Sequence, residues 1–159
     1  GGTWTTADGV LEVKGGNGPR AVLKELMFSD FELEMDISLD RNTQAGPVFR
    51  VRQSKIGIDA YRGYYAGIHE GKNQSMWGSC HPGWKSIVRK PSEIEPDRWY
   101  NVKLQVNAET VRFWVDDVEA GPTIHGVDDH FRKGRIGLRV LGGGARFRNL
   151  VIRPISSTR

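Results

Sequence analysis

Three carboxylates alternate along one short run: Glu32, Glu34 and Asp36 sit between Phe31, Leu33, Met35 and Ile37. In an extended strand this spacing puts all three on one face, with adjacent members about 7 Å apart at a rise of about 3.3 Å per residue. Retaining glycosidases hold two carboxyls about 5–5.5 Å apart and inverting ones about 6.5–9.5 Å, so the geometry is compatible with catalysis. A general acid also needs a carboxyl whose pKa is raised by burial, and nothing in the sequence supplies one. Like charges this close call for a cation between them. Arg50 is the natural candidate. Phe49 and Val51 read as the apolar phase of Gly46–Arg52, which turns Val48, Arg50 and Arg52 to the other face. If that strand neighbours the acidic one, Arg50 and the acidic row share a surface. Two readings stand side by side: a solvated face with surface ion pairs, worth little, or a polar recognition site.

Aromatic residues extend the second reading. In Gly63–Glu70, Tyr64, Ala66 and Ile68 read as inward, which leaves Tyr65, Gly67 and His69 outward. Gly67 leaves room there for a ligand. Trp77 and Trp84 flank the turn signal His81-Pro82-Gly83. Sugar rings offer C–H faces to aromatic planes and hydroxyls to carboxylates and guanidinium groups. An arginine, a carboxylate and an aromatic on one sheet face would make a sugar site.

Other motifs lead nowhere. His69-Glu70 resembles the start of a zinc-protease helix, but the second histidine would fall at Asn73, and the segment reads as a strand. Gly15-Gly16-Asn17-Gly18 lacks the helix and Gly-Lys-Ser/Thr that a phosphate loop needs. Cys80-His81 pairs a thiol and an imidazole in sequence only, and reads as a residue before a His-Pro-Gly turn. Asn73-Gln74-Ser75 is a glycosylation sequon that matters only in a eukaryotic secretory route. Asp8, Asp40, Asp128 and Asp129 occupy loop-like positions whose hard oxygens suit a structural calcium, without calcium-loop spacing. No cofactor is expected.

The elements that must position these residues share a period of two. Besides Phe31–Leu39, Val102-Leu104-Val106, Val111-Phe113-Val115, Ile136-Leu138-Val140 and Phe147–Ile152 alternate with polar neighbours. Gly9–Lys14, Ala21–Leu26, Gly46–Arg52, Gly63–Glu70 and a hairpin over Met76–Arg89 complete about eleven short strands. The one helical candidate is a turn near Asp128-Asp129-His130-Phe131. The 159 residues, with 20 glycines and 7 prolines in irregular positions, suit one all-β domain over 1–155 and a tail at 156–159. Two packed antiparallel sheets, as a sandwich or jelly roll, follow from that count. A single cysteine, Cys80, rules out an internal disulfide. The formal charge is +4, but the arginines alternate along strands rather than cluster, which argues against nucleic-acid binding. No apolar run of membrane-spanning length occurs.

The order of segments is also familiar. Gly2-Thr3-Trp4 with Asp8-Gly9-Val10-Leu11, then Ser29-Asp30-Phe31-Glu32-Leu33-Glu34-Met35-Asp36-Ile37 and Ala45-Gly46-Pro47-Val48-Phe49-Arg50-Val51, lead to Gly63-Tyr64-Tyr65-Ala66-Gly67-Ile68. Arg98-Trp99-Tyr100-Asn101-Val102-Lys103-Leu104, Val115-Asp116-Asp117, Gly134-Arg135-Ile136-Gly137-Leu138 and Phe147-Arg148-Asn149-Leu150-Val151-Ile152 come after them. Over nearly its whole length the chain resembles the concanavalin A-like, laminin-G-like jelly rolls, and most closely the family 66 carbohydrate-binding modules attached to fructan-degrading glycoside hydrolases. The resemblance implies a secreted, non-catalytic module that binds polysaccharide, tethers a linked catalytic domain, and takes terminal fructose in a shallow pocket. By position it implies ligand contacts at Glu34, Asp36, Arg50 and Tyr65, with Glu70 and Trp77 further out. The same fold also hosts glycosidases, keto-sugar hydrolases and protein-binding domains. Pro47 departs from the pattern and predicts an edge or bulge beside Arg50.

Overall fold

The alternating segments become strands, each with its apolar face turned inward. The computed structural model describes residues 2–15, 19–54, 61–79, 84–120 and 132–155, without the side chains of 53–54, 61, 75–79 and 84–85. These residues form thirteen strands: β1 (Thr3–Ala7), β2 (Val10–Lys14), β3 (Arg20–Val22), β4 (Phe31–Leu39), β5 (Gln44–Ser54), β6 (Tyr61–His69), β7 (Asn73–Ser79), β8 (Trp84–Pro91), β9 (Tyr100–Asn107), β10 (Thr110–Val115), β11 (Val118–Glu119), β12 (Arg135–Leu141) and β13 (Gly144–Pro154). They build two antiparallel sheets, a seven-stranded one in the order β1-β2-β13-β4-β9-β10-β11 and a six-stranded one in the order β3-β12-β5-β6-β7-β8. The expected jelly-roll sandwich is the fold. The turn around His81-Pro82-Gly83, the helical turn near Asp128 and the tail at 156–159 lie outside the described residues.

The core is the space between the sheets. Leu33, Met35 and Ile37 from β4 and Val102, Leu104 and Val106 from β9 meet Ala66 and Ile68 from β6 and Ile136 from β12, all buried. An aromatic chain crosses the layers: Phe28 to Phe31 at 6.0 Å, Phe31 to Phe49 at 6.1 Å, and Phe49 stacked on Tyr64 at 5.5 Å. Edge-on and offset contacts of this kind add stability beyond the area they bury.

Three expectations need correction. β1 and β11 are strands that alternation does not predict. β1 carries a single partly buried side chain, Trp4, and β11 is two residues long, so neither shows a period. Ala21–Leu26 shrinks to a three-residue strand, with Leu23 and Leu26 exposed. Most consequential, β4 and β5 are consecutive in sequence but lie in opposite sheets. The acidic row and Arg50 are therefore not on one surface.

Candidate functional site

The outer face of the seven-stranded sheet carries the acidic row, as the alternation required. Its cations come from the neighbouring strands. Asp36 lies across from Arg148 of β13 and Asn101 of β9, Glu34 across from Lys103, and Glu32 across from Arg153 and Gln105. Arg148 Nε donates to Asp36 Oδ2 at 3.1 Å, and Asn149 Nδ2 donates to the same oxygen at 3.0 Å. Asn101 Nδ2 donates to Glu34 Oε1 (3.1 Å) and Asp36 Oδ1 (3.3 Å). Burial pushes the Asp36 carboxyl up, but the bonds from Asn149, Arg148 and Asn101 together outweigh it and hold the carboxyl below its ordinary value. Asp36 is thus an ionised acceptor, the opposite of a general acid. The ion-pair reading of this face holds, with Arg148 in the place expected of Arg50.

Arg50 does something else. It sits at a break in β5, where the ladder to β6 slips between Phe49 and Gln53 and Arg50 takes a left-handed φ of 50°. A bulge adds a residue to one strand and reverses the facing of the residues beyond it. Phe49 therefore points into the core while Val51 joins Val48 and Tyr65 in a separate buried cluster. The Arg50 side chain is 1% exposed. Its Nε and Nη2 donate to the Ser29 carbonyl at 3.2 and 2.9 Å, and Nη2 lies 3.4 Å from Asp30 Oδ1. Asp30 Oδ1 also accepts from the Ala108 N–H at 2.8 Å, so Arg50 ties β5 to the loop that enters β4.

Tyr65 is the centre of a second constellation, on the outer face of the six-stranded sheet. It faces outward as expected, beside Val48 of β5 and Trp77 of β7 in the ladder; the Trp77 side chain lies outside the described residues. The next outward position on each central strand is glycine. Gly46 pairs with Arg139 of β12, and the β5–β6 register sets Gly67 against Gly46. A Cβ on Gly46 would lie 2.0 Å from the Ala66 carbonyl oxygen. One on Gly67 would lie 2.1 Å from the Tyr65 hydroxyl. The Tyr65 side chain therefore runs along its own strand with its hydroxyl above Gly67, and only glycine permits this.

Arg139 closes the other side. Its guanidinium carbon lies 4.9 Å from the Tyr65 ring centroid, a cation on an aromatic face. Its charge acts on the phenol. The Tyr65 hydroxyl is buried and has no hydrogen-bond partner among the described residues. Burial pushes its pKa up to about 12, against the downward pull of Arg139. The phenol is therefore neutral and able to donate or accept. His69, the next outward residue of β6 after Gly67, is shifted down by burial and by Lys72 and Arg89, so its imidazole stays neutral at physiological pH.

The six residues singled out in the sequence thus divide between the two faces. Glu34 and Asp36 are together on the seven-stranded sheet. Tyr65 and Trp77 are neighbours on the six-stranded sheet. Glu70, just past β6, accepts from the Asn42 N–H at 3.0 Å and fastens a turn. Arg50 braces the sandwich between the sheets. Arg139 and Gly46 escaped the sequence reading: their strands lie far apart in the chain, and only the β5–β12 pairing brings them beside Tyr65. Among the described residues no group of three or more His, Cys, Asp or Glu is arranged to hold a metal ion; Asp40 is paired with Arg146 at 2.9 Å, and Asp128 and Asp129 fall outside the described residues.

Solved structures share this architecture. The family 66 carbohydrate-binding module of Bacillus subtilis superposes with a TM-score of 0.83 at 20% identity, over 96% of this chain and 92% of that one. A Bacillus subtilis protein of unknown function with a galectin-like fold gives 0.72 at 14% identity, over 96% and 86%. A xylan beta-1,4-xylosidase of Bacillus halodurans gives 0.63 at 14% identity, over 91% of this chain and 32% of that one. The resemblance to family 66 modules read from the sequence holds in the fold. No curated protein matches the chain. A family model does, over residues 1–153, and by that match the chain belongs to the 3-keto-alpha-glucoside-1,2-lyase-like domain family.

Proposed function

We propose that this domain is a carbohydrate-binding module whose sugar contacts the Tyr65 hydroxyl and Arg139 above the Gly46–Gly67 floor. One observation carries the reading: the Tyr65 hydroxyl is desolvated without a hydrogen bond among the described residues. Buried polar groups are paired in the large majority of proteins, and an orphan calls for an absent partner. A sugar hydroxyl is such a partner, able to donate to or accept from a neutral phenol. The fold shared with the family 66 module supports the same reading. On this proposal the domain needs no cofactor, works outside the cell and tethers a linked glycoside hydrolase to its polymer. Terminal fructose of a fructan is the first ligand to try.

The test is affinity electrophoresis of the intact chain in gels containing levan, inulin or xylan. Retardation in at least one, weakened in Tyr65→Phe, is expected. Unretarded migration in all three would refute the proposal and leave a protein-binding jelly roll as the better reading.

A second reading is favoured by His69. A neutral imidazole one outward residue from Gly67 is in the protonation state of a base, and the family is named for a lyase acting on keto-glucosides. Incubation with a 3-keto-glucoside separates the two. Product release that disappears in His69→Asn would replace the binding module with an enzyme.

A further inference from the structure

The two outer faces of the sandwich are unlike, and the one facing away from Tyr65 holds an open groove of about 400 Å³. Glu32 and Glu34 of β4, Lys103 and Gln105 of β9, Trp114 of β10 and Arg153 of β13 line it. The pairing of four adjacent strands puts these residues there: Arg153, Glu32 and Gln105 form one row, and Glu34, Lys103 and Trp114 the next.

Two features mark this groove off from an ordinary charged sheet surface. First, its aromatic wall is held rigid. Arg112 makes a bidentate pair with Glu119, 2.9 Å at each contact, and its guanidinium lies 4.6 Å from the Trp114 ring centroid. A side chain fixed in advance loses little entropy when it binds. Second, although Lys103 is paired with Asp117 at 3.2 Å, the groove leaves one facing pair of opposite charges unjoined. Arg153 stands directly across from Glu32, yet no hydrogen bond or ion pair joins them among the described residues. Elsewhere on this sheet such neighbours do pair, as Arg148 does with Asp36. Glu32 accepts a long bond from Gln105 Nε2 at 3.4 Å.

We propose that this groove is a second saccharide subsite, taking a neutral sugar unit of a polysaccharide chain; the proposal rests on the carbohydrate-binding reading above. The indole offers a plane for the C–H face of a sugar ring. Glu32 and Glu34 accept charge-assisted bonds from its hydroxyls, and Arg153 and Lys103 donate to its oxygens. The opposite signs on the walls suit an uncharged ligand that both donates and accepts. Packed sheets lie about 10 Å apart, so the two subsites open in opposite directions and grip separate chains. The domain then joins two strands of a polymer instead of capping one.

The intact chain and its Trp114→Ala, Glu32→Gln and Tyr65→Phe variants are run in native gels containing levan, inulin or xylan, with thermal denaturation as a fold control. Expected is a loss of retardation of about a hundredfold in Trp114→Ala, the low end of the avidity lost when one of two sites fails, and of about tenfold in Glu32→Gln, the scale of one charge-assisted hydrogen bond. The Tyr65→Phe/Trp114→Ala pair should migrate as in a gel without polymer. If the wild type is retarded and both groove variants match it, the second subsite is wrong while carbohydrate binding stands. If none of the three polymers retards the wild type, both proposals fall. Because Glu32→Gln keeps the size of its side chain, it decides the matter even if Trp114→Ala unfolds.

Discussion

Replacing Tyr65 by phenylalanine separates a ligand group from a structural one by the sign of its effect on stability. In the structure the hydroxyl is buried with no hydrogen bond among the described residues. An unsatisfied buried polar group costs about 1–3 kcal/mol, so removing it should not destabilise the fold and should add up to about 1 kcal/mol once the small void left behind is counted. For a domain of this size that is a rise in Tm of about 2–4 °C. Affinity should move the other way. One neutral hydrogen bond contributes about 0.5–1.5 kcal/mol, or about 2–13-fold in Kd. Differential scanning calorimetry and polymer-gel retardation measure the two. Alkaline pH provides a second check. The phenol's pKa rises from 10.0 to about 12 on folding, so the fold holds the proton more tightly than the unfolded chain does. Its contribution to stability is complete below pH 10 and lost as pH rises towards 12, and Tyr65→Phe should remove that loss. A fall in Tm of several degrees with unchanged retardation would refute the argument, because it would mean that the hydroxyl is bonded within the fold.

Three further outcomes rest on the same geometry. Arg50→Ala removes the brace between β5 and the Ser29-Asp30 loop and should lower stability by about 3 kcal/mol, the low end for breaking a buried pair because Asp30 keeps the Ala108 N–H; urea denaturation reads this, and an unchanged midpoint would contradict the brace. Gly67→Ala places a Cβ 2.1 Å from the Tyr65 hydroxyl and 2.5 Å from the Ala45 carbonyl oxygen, so both the ring and the β5–β6 backbone must shift; polymer retardation should weaken and the Tm should fall, read by gel retardation and calorimetry, and unchanged values of both would contradict the close approach. Asp36 and His69 both have folded pKa values below their ordinary ones of 3.8 and 6.5, so each contributes fully above that value and loses its contribution as pH falls through it. Asp36→Asn should flatten the stability profile below pH 3.8, and His69→Gln should flatten it below 6.5, in denaturation midpoints taken across pH.

The seven-stranded sheet was the more legible in sequence. Leu33, Met35 and Ile37, and likewise Val102, Leu104 and Val106, lie on strands buried on one side only, and period two survives intact. The facing of Tyr65, Gly67 and His69 was legible for the same reason. β5 was not, since alternation assumes an unbroken pleat and the left-handed residue at Arg50 turns the strand over halfway. No local signal announces this. Pro47 pointed to an irregularity nearby but not to its direction. Sheet membership was also hidden. The acidic row looked in need of Arg50, the nearest strand arginine in sequence, whereas the arginines that face it, Arg148 and Arg153, come from the last strand. Alternation reports which residues share a face, but not which strands share a sheet.

The last strand has one more consequence, in the order of assembly. β13 is threaded between β2 and β4, and the β1–β2 hairpin reaches the rest of its sheet only through it. Lys14 meets Gly144 across that ladder, a separation of 144 − 14 = 130 residues. At about 5–20 residues per second of synthesis, the hairpin waits roughly 7–26 s for its dock. During that interval β4 has β9 on one side and a bare edge on the other. An unpaired edge recruits other chains unless charge repels them. Glu32, Glu34 and Asp36 line that edge strand before their arginines arrive. A row of like charges that faces arginines in the finished molecule would then guard the unfinished one against neighbours on the ribosome.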